Sequence, residues 1–353
     1  MRLVFATQLI DADDPHLAQT LDMVRALAWR CDEVVVLCDR VGRHDLPANA
    51  SFRTFGARTK LGRALRFERA LLGAGRPDAF LAHMVPRFLV LAAPLYRPRG
   101  VPLLLWYTHW HASRELRLAT RLCDAVLSVH PESFPIATPK ARGLGHAIDL
   151  AAFEPRAAAP DSHGPLRVLA LGRTEPRKRL GTLLDVVEGG ADVRVEIRGP
   201  QITEAERAHR EELEQRVAAS PALGERITIA GPVPRDRIPE LMRAADLVAS
   251  LTRGETTGGA LDKVVYEAAA CAVPVVACNP NLEDVLGGLE PRLLFRAGDA
   301  DDLADVLAGI AALDAEQRTA LGRELRARVE RGHSAETWAD GVLRVVGEIA
   351  SRA

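Results

Sequence analysis

Short runs of apolar residues alternate along the chain with longer segments of helical spacing. In the first part the apolar runs lie at 3–7, 34–38, 52–56, 78–83, 101–108, 125–129 and 141–146. In the second part they lie at 167–171, 193–198, 227–230, 247–251 and 275–278. Apolar runs separated by helix-length segments are typical of parallel strands buried between two layers of helices. The pattern predicts an α/β chain with two Rossmann-like, doubly wound parallel-sheet domains.

A segment rich in Ala and Pro, at about 153–165, has no periodicity and is the best candidate for a linker. The 353 residues also exceed the size of one typical core. We therefore predict domains at 1–155 and 156–334. A last amphipathic helix, at about 335–353, has an apolar stripe that can pack back on the first domain or on the second.

The composition is that of a globular protein, with 48% hydrophobic residues and no apolar run as long as a transmembrane helix. The start, MRLVFATQLI, has no cleavage pattern and indicates a strand. The five cysteines are scattered within apolar runs, which indicates buried thiols and neither a zinc site nor a disulfide framework. These features predict a cytoplasmic protein, with peripheral attachment to the inner face of the membrane left open.

Charge is unevenly distributed. Residues 1–155 contain 20 Lys and Arg against 15 Asp and Glu, and the remainder has a net charge of −6. Within the first part, the helix predicted around Arg58–Arg69 interleaves basic residues with Leu61, Leu65 and Leu72. Such a helix can lie on an anionic membrane surface. The alternative is an ordinary solvated helix with one apolar stripe.

Three histidines follow predicted strands of the first domain: His83, His109 and His111. Functional residues of doubly wound sheets gather at the carboxyl ends of strands. We therefore expect at least one of the three in the site, although a histidine at such a position can also be a hydrogen-bonded structural residue.

Two segments of the second domain predict a phosphate site. The first predicted strand runs into Gly172, Arg173 and Lys178, and a later loop with Gly258 and Gly259 opens a helix. Cations beside a glycine-rich loop and a helix N-terminus favour a diphosphate. A carboxylate within that helix, Glu267, is suited to accept hydrogen bonds from a sugar diol. The alternative is the solvated helix of an ordinary α/β domain.

These motifs together resemble glycosyltransferase family 4, the retaining, nucleotide-sugar-dependent enzymes of the GT-B fold. The matching strings are GRTEPRK, GPVPRDRIPELMRAADLVAS, DKVVYEAAACAVPVV and GHAIDLAAF. The resemblance implies two Rossmann-like domains that face an interdomain cleft, with the acceptor on the first and the nucleotide-sugar on the second. It covers most of the chain and is stronger in the second half.

The resemblance also implies roles for individual residues. Arg173 and Lys178 correspond to the cations that neutralise the diphosphate leaving group, and Glu267 to the carboxylate that binds the ribose. His109 corresponds to the histidine that contacts the transferred sugar. The nucleotide-sugar contacts further include Gly172, Gly231, Thr257, Gly258, Gly259 and Lys263. No cofactor or metal is implied beyond the co-substrate, for which a UDP- or GDP-sugar is expected.

The sequence departs from the family pattern at three places. Gly259 stands where a second glutamate usually lies, eight residues before Glu267. The nearest acids, Glu255 and Asp262, are candidates for sugar or acceptor contacts, as are His83 and His111. Arg179 replaces a common glycine, and the usual N-terminal Gly-Gly loop is replaced by residues 11–16.

The resemblance therefore implies a metal-independent hexosyltransferase that moves a sugar to a glycan or lipid-linked acceptor, with no nucleic-acid partner. A catalytically degenerate nucleotide-sugar-binding scaffold, favoured by Gly259, stays open as an alternative. So does an epimerase or hydrolase on the same fold. A dinucleotide dehydrogenase is disfavoured because no G-x-G-x-x-G follows the first strand of either half.

Overall fold

The computed structural model describes residues 1–14, 17–160, 164–252 and 261–351, and these form two units. One unit comprises the described residues of 1–149 and 332–351. The other comprises the described residues of 150–331. The division falls at 149/150, a few residues before the predicted boundary at 155/156. Among the described residues, no helix is long and apolar enough to cross a membrane.

The first unit is built on a parallel sheet. Its strands are β1 (Arg2–Ala6), β2 (Leu9–Ile10), β3 (Glu33–Cys38), β4 (Arg40–Val41), β5 (Ala50–Thr54), β6 (Ala79–His83), β7 (Leu103–Trp106), β8 (Ala125–Ser128) and β9 (Ala141–Gly143). Its first helices are α1 (Thr20–Ala28), α2 (Lys60–Ala74), α3 (Pro86–Tyr96) and α4 (Arg114–Leu122). Seven strands pair in the order β5-β3-β1-β6-β7-β8-β9, and β2 pairs with β4. The central strands β1, β3, β6 and β7 are buried on both faces, as the near-continuous apolar runs predicted. The edge strands β5 and β9 are partly exposed.

The second unit contains a smaller sheet of the same kind. Its strands are β10 (Leu166–Leu171), β11 (Val193–Arg198), β12 (Ile227–Ala230), β13 (Leu247–Ser250) and β14 (Val275–Ala277). Its helices are α5 (Gly181–Glu188), α6 (Glu204–Ala219), α7 (Pro221–Arg226), α8 (Ile238–Ala244), α9 (Lys263–Ala270), α10 (Glu283–Leu286), α11 (Ala300–Ala311) and α12 (Ala315–Gly332). All neighbouring strands are parallel, in the order β12-β11-β10-β13-β14. The predicted fold class is confirmed.

The chain returns to the first unit in its last helix, α13 (Ala335–Ala350). Ser334 caps this helix by accepting a hydrogen bond from the Thr337 amide. Trp338 is fully buried and meets Trp106 of β7 edge to face, with 5.6 Å between ring centroids. The apolar stripe of α13 thus belongs to the core of the first unit.

The segment predicted as a linker packs on the second unit over its described part, residues 153–160. The Arg156 amide donates to the Cys271 carbonyl, and its guanidinium donates to the Ala245 carbonyl at 2.7 Å. The Ala159 amide donates to Thr319 Oγ1 at 2.8 Å. The segment lacks periodicity because its backbone is irregular, but these hydrogen bonds anchor it to the second unit.

All five cysteines are buried and free, as the sequence predicted. Burial raises the pKa of the thiols of Cys31 and Cys123 to about 11, and of Cys38 and Cys271 to about 12. These thiols are consequently protonated and shielded at neutral pH.

Candidate functional site

The sheet of the second unit reverses its strand order beside β10. Strands β11 and β12 continue on one side of β10, and β13 and β14 lie on the other. The loops at the carboxyl ends of such strands diverge and leave a crevice, where ligands of doubly wound sheets bind. Gly172, Arg173 and Lys178 follow β10, and the chain after β13 leads to Asp262 and Glu267. The candidate site is at this edge of the second unit.

Two glycines allow the chain to turn tightly after β10. Gly172 has a φ of 137°, and a Cβ there would come within 3.2 Å of Lys178 Nζ. A Cβ on Gly199, which follows β11, would lie 1.7 Å from the Gly172 carbonyl oxygen. Both positions therefore require glycine, and Lys178 can fold back over the end of the strand.

Lys178 is held by a buried hydrogen-bond network. Its Nζ donates to Asp262 Oδ2 at 2.8 Å, and the same oxygen accepts from Ser250 Oγ at 2.8 Å and Thr252 Oγ1 at 2.6 Å. Burial alone would raise the pKa of Asp262, but the Lys178 charge and the two hydroxyls lower it below its usual value. Asp262 therefore positions Lys178. The predicted contact between Asp262 and a sugar stays a prediction. The three hydrogen bonds to Asp262 Oδ2 do not favour it, because they already engage this oxygen.

Arg173 is anchored by a carboxylate that the sequence reasoning missed. Its guanidinium donates to Glu206, which is buried and also accepts from the Ile202 amide at 2.6 Å. Glu206 caps α6 together with Thr203, and this pair was recognisable as a capping box in the sequence. Among the described residues, the buried Nε–H of Arg173 has no hydrogen-bond acceptor. Glu206 thus fixes the direction of the Arg173 guanidinium.

Glu267 has a cationic partner that was also missed. Arg235 Nη1 donates to Glu267 Oε1 at 3.1 Å, and the Arg235 guanidinium lies 5.4 Å from the ring centroid of Phe153. Lys263, at the start of α9, places Nζ 4.0 Å from the same oxygen. The Glu267 side chain is only 9% exposed, so this carboxylate keeps one direction.

Of the remaining predicted site residues in the second half of the chain, the structure describes only Gly231. Gly231 is exposed and directly follows β12, four residues before Arg235. The loop after β12 thereby reaches α9 through the Arg235–Glu267 pair. Glu255, Thr257, Gly258 and Gly259 lie outside the described residues.

Arg179, at the position where the family pattern has glycine, adopts the left-handed conformation with φ 47° and ψ 36°. This conformation costs a non-glycine residue roughly 1–2 kcal/mol. We expect Arg179→Gly to raise the free energy of unfolding by about 1 kcal/mol, measured by urea titration with an unchanged m value. Arg179→Ala keeps the strain and serves as the control. A stability of Arg179→Gly below that of Arg179→Ala would contradict this account.

In the first unit, the segment after β7 carries two exposed histidines. The His111 amide donates to His109 Nδ1 at 3.2 Å, so in the neutral ring of His109 the proton resides on Nε2. The ring stacks on Trp110 at 5.5 Å. Tyr107 Oη donates to the His111 carbonyl at 2.8 Å and fixes the turn. His109 thus presents Nε2 as a donor, the form that suits a sugar hydroxyl.

His83, by contrast, is buried at the end of β6. Its Nδ1 lies 3.0 Å from Thr7 Oγ1, and its ring stacks on Phe5. With 4% of its surface exposed, His83 fits the structural alternative better than a contact with a ligand.

Part of the chain is similar to known sequences. Residues 165–312 match a family described as Glycosyl transferases group 1. The chain is 33% identical over 109 residues to a 2-deoxystreptamine N-acetyl-D-glucosaminyltransferase of Streptomyces fradiae, covering 31% of this chain and 24% of that one. It is 35% identical over 141 residues to a D-inositol 3-phosphate glycosyltransferase of Mycolicibacterium gilvum, covering 37% and 29%. The matches thus span less than a third of these curated relatives.

Comparison with solved structures covers the whole chain. The Anabaena protein HepE, in complex with UDP and glucose, superposes with a TM-score of 0.74 at 19% identity over 99% of this chain and 100% of that one. Sucrose-phosphate synthase from Thermosynechococcus elongatus superposes with a TM-score of 0.76 at 19% identity over both full chains. This chain has the GT-B fold. The expected two-domain architecture is confirmed. Arg173 and Lys178 lie in the second unit, which also contains most of the segment that matches the family.

Proposed function

We propose that the chain is a retaining glycosyltransferase of family 4 that uses a nucleoside-diphosphate hexose as donor. The observation that carries the proposal is the arrangement at the β10 edge of the second unit. Two cations, each fixed by its own carboxylate, lie on the loop after β10, and a buried carboxylate lies on α9. A diphosphate and a ribose diol are the groups that such a pair of cations and such a carboxylate recognise.

In the proposed reaction, the acceptor hydroxyl oxygen forms a bond to the anomeric carbon, and the bond from that carbon to the β-phosphate oxygen breaks. The leaving diphosphate gains negative charge, which Arg173 and Lys178 neutralise. The proton of the acceptor hydroxyl passes to the departing phosphate. His109, through Nε2–H, holds a hydroxyl of the transferred sugar. We propose that no divalent cation is needed, since the side chains supply the positive charge.

The donor is proposed to be a UDP-sugar, with a GDP-sugar as the second choice. The Anabaena neighbour was crystallised with UDP and with UDP-glucose, which supports the uridine nucleotide. The acceptor is proposed to be a glycan or lipid-linked precursor of the cell envelope, at the inner face of the membrane. The positive charge of residues 1–155 supports an anionic acceptor side.

Calorimetric titration with UDP, GDP and ADP, followed by transfer assays in excess EDTA, tests this proposal. We expect one diphosphate to bind, activity to survive EDTA, and proton NMR to show that the product keeps the anomeric configuration of the donor. An inverted product would refute the retaining mechanism. Binding without transfer to any acceptor or to water would favour the degenerate scaffold, which Gly259 in place of a glutamate already supports.

A further inference from the structure

Helix α2 carries two separate apolar stripes. Its core stripe consists of Phe67, Ala70, Leu71 and Ala74, which are buried against the sheet and α3. Three other apolar side chains, Leu61, Leu65 and Leu72, are 71%, 59% and 62% exposed. At 3.6 residues per turn these leucines lie within roughly 40° of one another, on the side away from the core. The leucine row is therefore surplus to the core of the first unit.

Cations surround the leucine row. Arg58, Lys60 and Arg69 are exposed, and none of these three forms an ion pair with another described residue. The only acidic residue in the sequence of α2 is Glu68. An exposed leucine row with free cations beside it suits a surface that is apolar inside and anionic at its rim.

The basic surface continues across the same layer of helices. Helix α2 packs on α3, and α3 packs on α4, all over the one core cluster. Helix α4 exposes Leu118, which is 43% exposed, beside Arg114, Arg117 and Arg121. The pattern of α2 is thus repeated on α4, and the outer side of the layer is both basic and partly apolar.

From these observations we propose that the leucine row of α2 docks on a bilayer with anionic headgroups. The leucines would enter the boundary between headgroups and acyl chains, while the arginines and Lys60 contact lipid phosphates. This inference refines the membrane partner of the proposed function, but it does not require the chain to be a transferase. Net charge alone does not specify the contact, whereas the three exposed leucines place it on one side of α2.

A bilayer fits this surface better than a macromolecular partner does. The leucine row is a single line about 16 Å long, which is narrow for the core of a stable protein interface. Glu68 lies on the same face between Leu65 and Leu72, but it is the only acidic residue in the α2 sequence, against four basic ones. This excess of positive charge favours anionic headgroups. A nucleic acid is also a poorer fit, because its charged phosphates would lie against the apolar leucine side chains.

Vesicle flotation tests the docking surface. Wild-type protein is expected to float with phosphatidylcholine vesicles that contain phosphatidylglycerol, and to float less as salt rises. Leu61→Ser/Leu65→Ser/Leu72→Ser is expected to weaken binding at least tenfold, and Arg58→Gln/Lys60→Gln/Arg69→Gln about a hundredfold. Matched controls are Trp29→Ser and Ile202→Ser, which remove apolar side chains that are 63% and 47% exposed elsewhere. They should float as the wild type does.

A fluorescent label shows whether the leucine row enters the bilayer. The native thiols are buried, so a single new thiol in Leu65→Cys can be labelled with an environment-sensitive dye. Vesicles should shift its emission to the blue, whereas the same label on Ile202→Cys should not respond. Absent flotation of the wild type, full binding by the serine variant, or an unshifted label at position 65 would each overturn the proposal. Diphosphate affinity, which depends on the second unit, should be equal in the wild type and the α2 variants and tests the proposed function separately.

Discussion

Replacing Lys178 with methionine is expected to weaken nucleoside-diphosphate binding by roughly 10- to 100-fold, because a charge-assisted contact is worth about 1.5–3 kcal/mol. It should also slow sugar transfer by on the order of a hundredfold or more, since charge develops on the leaving diphosphate. The same substitution should destabilise the protein. Asp262 would keep the hydroxyls of Ser250 and Thr252 but lose its only cation within hydrogen-bond distance among the described residues.

The partner variant separates these two effects. Removing one member of a buried ion pair costs roughly 3 kcal/mol or more, whereas removing both charges costs much less. Lys178→Met/Asp262→Asn should therefore recover most of the stability and none of the diphosphate affinity. Arg226→Met/Asp192→Asn, which removes an exposed pair of the same unit at 2.7 Å, is the control and should change neither. Recovery of affinity in the Lys178/Asp262 double variant would show that Lys178 does not contact the phosphates.

The ion pair also makes stability depend on pH. The pKa of Asp262 is lower in the folded chain than its usual value of about 3.9. Its stabilising contribution is thus fully present above about pH 4 and is lost as the pH falls through the folded pKa. Urea titrations below about pH 5 should show less acid destabilisation in the Lys178/Asp262 double variant than in the wild type, since that variant no longer has the titrating carboxylate.

Much of the fold was predictable because its strands are short and buried. A strand buried on both faces, such as β3 or β6, must be apolar throughout, so a single sequence shows it directly. Helix α2 was harder to interpret. Its exposed leucines have the same helical spacing as a core stripe, and only the packing of Phe67 and Leu71 shows which stripe is buried.

The candidate site was predictable only for residues that lie within motifs. Gly172, Lys178 and Glu267 follow strands or sit in a helix that the pattern reveals. Their partners do not, because Glu206 is 33 positions from Arg173 and Arg235 is 32 positions from Glu267. No local pattern reports which of many charged residues the fold brings to a given side chain. The roles of Asp262 and Arg235 as positioning residues could therefore come only from the structure.

Glu267→Ala is expected to abolish the preference for a ribose. If Glu267 accepts hydrogen bonds from the ribose hydroxyls, its loss should weaken binding of the preferred ribonucleoside diphosphate by roughly 10- to 100-fold. Binding of the 2′,3′-dideoxy analogue should be unchanged, because that ligand has no hydroxyls for the carboxylate. Glu267→Ala leaves the Arg235 guanidinium without this carboxylate. Because the Arg235 side chain is 23% exposed and still contacts Phe153, the variant should lose little free energy of unfolding.

Arg235→Gln provides the test of positioning. It keeps Glu267 but removes the guanidinium that directs Oε1, so the ribose preference should fall to an intermediate value while dideoxy binding stays constant. The matched control is the exposed pair formed by Arg237 and Glu240 at 2.9 Å, two residues further along the chain. Arg237→Gln and Glu240→Ala should leave both affinities as in the wild type. An equal loss of ribose and dideoxy binding in Glu267→Ala would instead mean that this carboxylate supports the site's structure and does not read the sugar.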